Sequence, residues 1–315
     1  MRRFFALLLL PFLVTPVRAE AIKWVDFQVP YASLKYAMDV DIGTFDQEKH
    51  ISWIDILALS ACRTGGKCGL AAVKKATEEL KGDKAPEEIL GELYKYYAYY
   101  HEAYSAALGG LLGSYAIEKD GQWIPCYGLK AFSPIASGYG YSHCDDFGAS
   151  RSFGYDRKHL GHDMMGGLGT PIVAVEGGVV EAMGWNRYGG WRVGIRSFDG
   201  KRYYYYAHLQ KDAPYAPGLK VGDLVEAGQL LGFMGRTGYS DVENTNNIEI
   251  VHLHFGLQLI FDESQKECLS EIWIDVYDIV RLLKAHTSSW QKTSDGWVRM
   301  YPFRDLDVEE LNGGA

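Results

Sequence analysis

The chain has 315 residues, 47% of them hydrophobic, which is ample for one or two buried cores and too apolar for a disordered chain. Lys and Arg total 32 against 40 Asp and Glu, a formal charge of −8, which argues against a polyanionic partner such as nucleic acid. Five cysteines are too few for a disulfide scaffold, no long apolar run crosses the body of the chain, and 36 glycines point to many tight turns.

The first residues read MRRFFALLLLPFLVTPVRAEA. Arg2 and Arg3 form a basic start, Phe4 to Val17 a short apolar stretch, and Val17, Arg18 and Ala19 a V-x-A cleavage site. The pattern predicts a secretory signal peptide over residues 1–19, and Pro11 and Pro16 speak against a retained membrane span. Cleavage removes three arginines and no acids, leaving 29 basic against 40 acidic side chains on an exported protein. An oxidising compartment would permit the pairs Cys62 with Cys68 and Cys126 with Cys144, with Cys268 left over.

Between Ser52 and Arg63 apolar residues recur at helical spacing (Trp53, Ile56, Leu57), and Gly65 with Gly66 ends the run. A second helix is expected over Leu70 to Leu80. A third starts near Pro86 and carries Ile89, Leu90, Leu93, Tyr94 and Tyr97 forward to about Leu108. Residues 20–115 therefore read as a small helical domain, with the tyrosines around Tyr97 assigned to its core and His50 and His101 to surface or packing roles. Residues 116–145 read as a linker.

After Gly121 the grammar changes. Between Gly161 and Gly238, 78 residues hold 17 of the glycines, and short apolar stretches alternate with Gly-Gly or Asp-Gly punctuation, as in hairpins. One hairpin is expected from Ile172–Val175 through Gly177–Gly178 into Val179–Met183. Another runs from Arg192–Ser197 through Asp199–Gly200 into Lys201–His208. A further helix is expected in IDVYDIVRLLKAH, residues 291–315 are read as a C-terminal tail, and its acid-rich end DLDVEELNGGA as solvated. The fold class is α+β: a helical domain followed by a mainly antiparallel β-sheet domain.

The chemistry concentrates in three short segments. In HLHFGLQLIF, Leu253, Phe255, Leu257 and Leu259 alternate toward a core, so His252 and His254 share the opposite face. Two adjacent imidazoles there are hard to explain by packing and suit a divalent cation or a shared catalytic water. In RKHLGHDMMGG, His159 and Asp163 fall on one face of an extended segment and His162 on the other. One imidazole and one carboxylate from this segment, with one imidazole from the first, make three zinc ligands and leave a position open for water. In YYYYAHL, Tyr204, Tyr206 and His208 share a face by period-two alternation, which makes His208 a candidate proton acceptor or oxyanion donor and the two tyrosines candidate substrate contacts. His143, beside Cys144, Asp145 and Asp146, is assigned to an acidic polar loop and not to a second metal site.

The ordered motifs HLGHD, YAHL and HLHFGL, with GTPIVAVEGGVV and GLKVGDLVEAGQLLGFMGRTG between them, resemble the lysostaphin-type zinc metallopeptidases, metallopeptidase family 23. The resemblance covers residues 146–262, within a domain placed at 146–290, and FGASR from Phe147 to Arg151 is similar to the stretch before the family's first ligand. It implies a zinc site in an open groove, with His159, Asp163 and His254 as ligands and His208 and His252 flanking the metal-bound water as general base and transition-state stabiliser. It also implies an exported endopeptidase acting on the peptides of bacterial peptidoglycan, with no nucleic-acid partner. The alternatives are a non-catalytic wall-binding module of the same fold, or a zinc amidase or carboxypeptidase acting on the wall. His162 stands where the family has an apolar residue and is read as a neighbour, not a ligand. The segment Tyr239 to Val251 is longer than expected and is assigned to the groove wall, whereas the helical half has no assigned counterpart.

Overall fold

A computed structural model describes residues 21–266, 270–306 and 308. The expected signal peptide, Cys268 and the last residues of the expected tail lie outside them. Six α-helices are described: α1 (Tyr31–Thr44), α2 (Trp53–Thr64), α3 (Leu70–Lys81), α4 (Pro86–Leu90), α5 (Tyr97–Leu108) and α6 (Tyr277–Leu283). The strands before the first glycine-rich segment are β1 (Leu112–Lys119), β2 (Gln122–Leu129), β3 (Ser142–His143), β4 (Ser150–Phe153), β5 (Tyr155–Lys158) and β6 (His162–Met165). Next come β7 (Pro171–Val173), β8 (Gly178–Asn186), β9 (Gly190–Ser197), β10 (Arg202–Ala207), β11 (Leu224–Val225), β12 (Leu230–Phe233) and β13 (His252–Leu259). The last are β14 (Ile272–Trp273), β15 (Trp290–Thr293), β16 (Gly296–Arg299) and β17 (Phe303–Asp305).

Helix α2 matches its expected span, with Ser52 accepting from the Ile54 N–H at its start and left-handed Gly65 at its end. Helix α3 likewise covers the expected segment. The single helix expected from Pro86 to Leu108 is divided: Gly91 takes φ +54°, and a 3₁₀ stretch, Gly91–Tyr96, separates α4 from α5. Helix α1 was not anticipated; it packs on α2, α3 and α6. Of the tyrosines assigned to the core, Tyr104 is buried while Tyr94 and Tyr96 are exposed.

Seven strands form an antiparallel path in the order β11-β8-β9-β10-β13-β6-β3, and β14 pairs with β13 at the far end of that strand. The β9–β10 hairpin matches expectation, with Tyr203 opposite Arg196 and Tyr206 opposite Val193. The other expected hairpin does not form. Strand β7 pairs with β12 in a separate two-stranded sheet, and β8 pairs with β9 and β11, because the chain crosses from one sheet to the other through Ala174–Gly177. Every residue of β7 is buried, so its side chains gave no alternation to distinguish the partners.

The expected linker and tail are structured where described. Strands β1 and β2 form a hairpin, and β17 completes a three-stranded sheet on β1, with Tyr115, Phe132, Ala227 and Phe303 packed together. A single hydrophobic core runs from α2 and α5 through Leu111 and Val175 to the back of the large sheet, joining Tyr104 and Leu108 to Tyr204, Tyr206 and Phe255. Cys62, Cys68, Cys126 and Cys144 are free thiols, the first two buried; Cys68 Sγ lies 3.6 Å from both the Leu57 carbonyl and the Tyr104 hydroxyl. Among the described residues no helix is long and apolar enough to cross a membrane.

Candidate active site

The open face of the large sheet carries a groove of about 540 Å³ that contains His159, Asp163, His208, His252 and His254. None of its lining residues comes from the helical region. Strand β13 builds the floor as its alternation requires: Leu253, Phe255, Leu257 and Leu259 are buried behind the sheet, and His252 and His254 point into the groove. Strand β6 lies antiparallel beside it with Asp163 directly opposite His254. His159 stands just before β6. Gly161 is a requirement of this arrangement, since a Cβ there would come within 2.6 Å of His254 Nε2.

Three donor atoms converge. Asp163 Oδ1 lies 3.0 Å from His159 Nε2 and 3.0 Å from His254 Nδ1, and the two imidazole nitrogens are 2.9 Å apart. Among the described residues they form the group of His, Cys, Asp and Glu side chains able to hold a metal ion. Two imidazole nitrogens and one carboxylate oxygen suit a borderline-soft divalent cation of zinc's kind. Burial pushes the Asp163 carboxyl upward, but the bonds from His159 and His254 outweigh it and hold the group far below the usual carboxylate range. His159 is fixed from behind: its Nδ1 lies 3.1 Å from both the backbone carbonyl and Oδ2 of Asp146, so that nitrogen carries the hydrogen and Nε2 presents its lone pair.

His208 and His252 stand beside this group with ring centres 4.7 Å apart. The Nδ1–H of His208 donates to the Thr237 carbonyl at 2.9 Å, and that of His252 to the Ile250 carbonyl at 2.9 Å. Both acceptors are carbonyls, so the free Nε2 of each ring is basic. Burial first, then the neighbouring His252 and His254, push the His208 imidazolium well below its ordinary range, which keeps the ring neutral.

The tyrosine expectation fails. Tyr204 and Tyr206 are 1% and 0% exposed, and their hydroxyls bond Glu176 and the Val175 N–H in the core. Strand β10 ends at Ala207, and His208 adopts φ +62°, a left-handed conformation costing a non-glycine residue roughly 1–2 kcal/mol. That turn breaks the alternation and brings His208 to the face of Tyr203 and Tyr205, which line the groove instead. Gly194 leaves space for the Tyr203 ring, which a Cβ would occupy.

Sequence reasoning also missed Asp146 and Arg151. The Arg151 guanidinium donates to Asp146 Oδ2 at 2.6 Å and to Asp163 Oδ2 at 3.2 Å, tying the FGASR segment to the metal-ligand candidates. The proximity of Asp146 to FGASR was the available signal. His162 is buried on the reverse face of β6, its Nε2 2.8 Å from His143 Nδ1, and burial pushes it down to about 4. It is a neighbour of the site and not part of it. Of the long segment 239–251, only Tyr239 is among the groove-lining residues.

An eight-stranded antiparallel sheet thus carries a His/Asp/His cluster in an open groove, a donor set and access that suit metal-assisted hydrolysis. Residues 157–266 match the model of peptidase family M23. The L-Ala–D-Glu endopeptidase of Bacillus subtilis is 40% identical over 130 residues, covering 41% of this chain and 38% of the relative. Lysostaphin of Staphylococcus simulans is 39% identical over 98 residues, covering 31% of this chain and 17% of the relative. This chain therefore matches well under half the length of either. A Ruminococcus gnavus crystal structure named for a glycyl-glycine endopeptidase, lytM, aligns over 81% of this chain and 87% of its own, with a TM-score of 0.53 and 25% identity.

Proposed function

We propose that the chain is an exported, zinc-dependent endopeptidase that hydrolyses peptide bonds in bacterial peptidoglycan. The observation that carries this reading is the meeting of His159 Nε2, Asp163 Oδ1 and His254 Nδ1 within 3.0 Å of one another at the floor of an open groove. Those three side chains would hold the metal, and Zn²⁺ bound there supplies Lewis acidity toward water and a peptide carbonyl. The peptidoglycan substrate is supported by the family match and by the relatives named above.

The remaining chemistry belongs to the chain's own groups. His208 and His252 each offer a basic Nε2 to the groove because their Nδ1–H groups are committed to carbonyls. One takes the proton of the attacking water; once protonated, its Nε2–H can donate to the developing oxyanion or pass the proton to the departing amine nitrogen. Asp146 keeps His159 in the tautomer that presents Nε2 inward. A groove with no residue of the helical region in its lining suits an extended peptide, and the N-terminal signal pattern supports action outside the cytoplasm.

Incubating the zinc-loaded protein with insoluble peptidoglycan, with and without chelator, and identifying released fragments by mass spectrometry tests the reading. New amino termini in the peptide moiety, lost on chelation, are expected. Release of intact stem peptides from glycan would instead identify an amidase, and unaltered wall material would refute hydrolysis.

A further inference from the structure

Most charges in the groove are matched within it. Arg151 pairs with Asp146 and Asp163, and Lys266 pairs with Glu181 and Glu263. Arg157 and Arg192 are not matched: neither forms an ion pair among the described residues, and the buried Nε–H of each lacks an acceptor. Arg157 is clamped by aromatics, its guanidinium 5.2 Å from the ring centres of both Tyr188 and Tyr239 while it donates to the Tyr239 hydroxyl at 2.8 Å. The Tyr239 ring is in turn 6.0 Å from that of His208, which places this cation one aromatic ring from the proposed reaction centre. Arg192, on β9, lines the same groove beside Tyr203 and Tyr205, and its charge acts on both hydroxyls while that of Arg157 acts on Tyr205.

Lys158 also lines the groove without an ion pair among the described residues but is exposed, whereas two half-buried guanidinium groups left without carboxylates are unexpected in a chain of formal charge −8, where acids are plentiful. Partly desolvated guanidinium groups with spare N–H donors favour a planar oxyanion, because a carboxylate can accept two parallel bonds from the guanidinium fork. Aromatic packing holds the Arg157 fork in place beforehand, so little of its rotamer freedom is lost on binding. We propose that Arg157 and Arg192 form a carboxylate-binding subsite, and that the peptide cut in this groove bears a free carboxylate on a residue close to the scissile bond. The proposal rests on the peptidase reading and adds a substrate class to it: acidic peptides over neutral ones.

Two soluble peptidoglycan stem peptides, identical except that the glutamate carboxylate is free in one and amidated in the other, provide the test. Their affinities for the full chain are measured by titration calorimetry in the presence of chelator, so that binding is read without turnover. The free acid is expected to bind at least tenfold more tightly, and R192M and, independently, R157M to bring the two peptides to the same affinity. Equal affinities in the unaltered protein, or an equal weakening of both peptides in each variant, would overturn the subsite. Adding zinc separates the two ideas. A retained preference without cleavage would sink the peptidase reading and leave the subsite standing, whereas cleavage of both peptides at equal kcat/KM would do the reverse.

Discussion

At the scale of single residues, the two groove imidazoles outside the metal-ligand cluster differ from the two inside it by their hydrogen bonds. The Nδ1 of His208 is spent on Thr237 and that of His252 on Ile250, so neither ring uses that nitrogen for Asp163. His208→Ala should therefore keep nearly full zinc content while turnover on peptidoglycan peptides falls about a hundredfold or more. Metal analysis alongside an initial-rate assay checks it, and loss of zinc in step with activity would refute the division of roles. Asp146→Ala makes the opposite cut. It removes the carboxylate but leaves the backbone carbonyl beside Nδ1 of His159, so zinc binding should weaken toward the lower end of the effect usual for groups that orient a ligand, about tenfold, and unaltered affinity would show that the carbonyl alone orients the ligand. The period-two rule read His252 and His254 correctly because β13 is regular throughout. The same rule misread Tyr204 and Tyr206 because the backbone turns left-handed at His208, a conformation no composition cue announces.

At the scale of elements, the join between α5 and β10 explains where the helical region sits. Arg202, 2% exposed, donates through Nε and Nη2 to Glu176, through Nη2 to Asp199 and through Nη1 to the carbonyls of Ser105 and Ala106 near the end of α5. A cation at a helix C-terminus also meets the negative end of its macrodipole. Arg202 and Tyr204 face away from the groove, so α5 is fastened behind the sheet and the active face stays open. Replacing Arg202 by methionine strands a buried Glu176 and should cost about 3–5 kcal/mol. Denaturant unfolding measures this, and a loss below 1 kcal/mol would mean the latch is marginal. Sequence periodicity located α2, α3 and the β9–β10 hairpin, where a turn signal bounds one clear pattern. It missed α1, whose apolar residues do not segregate to one side. It also joined β7 to β8, since a wholly buried strand carries no information about its partner.

At the scale of the whole molecule, the helical region and the sheet are not separately cored. Tyr104, Leu108, Leu111, Val175, Tyr204 and Phe255 belong to one apolar cluster, and β17 returns from the end of the described chain to pair with β1. Such continuity predicts a single cooperative thermal transition, with helical and aromatic circular-dichroism signals lost together. Two separated transitions would contradict it. The α+β class and the segments whose histidines and aspartate meet in the groove were legible because both depend on local alternation and spacing. The shared core was not, because it depends on contacts between segments nearly a hundred residues apart, such as Arg202 with Ser105.

If His159 and Asp163 from one segment and His254 from another make a single zinc site, calorimetric titration of the metal-free protein with Zn²⁺ reads it without any assay of turnover. One tight site per chain is expected, lost in H159A, D163A and H254A and retained in H208A. No zinc binding by the unaltered protein, or full affinity in H254A, would contradict it.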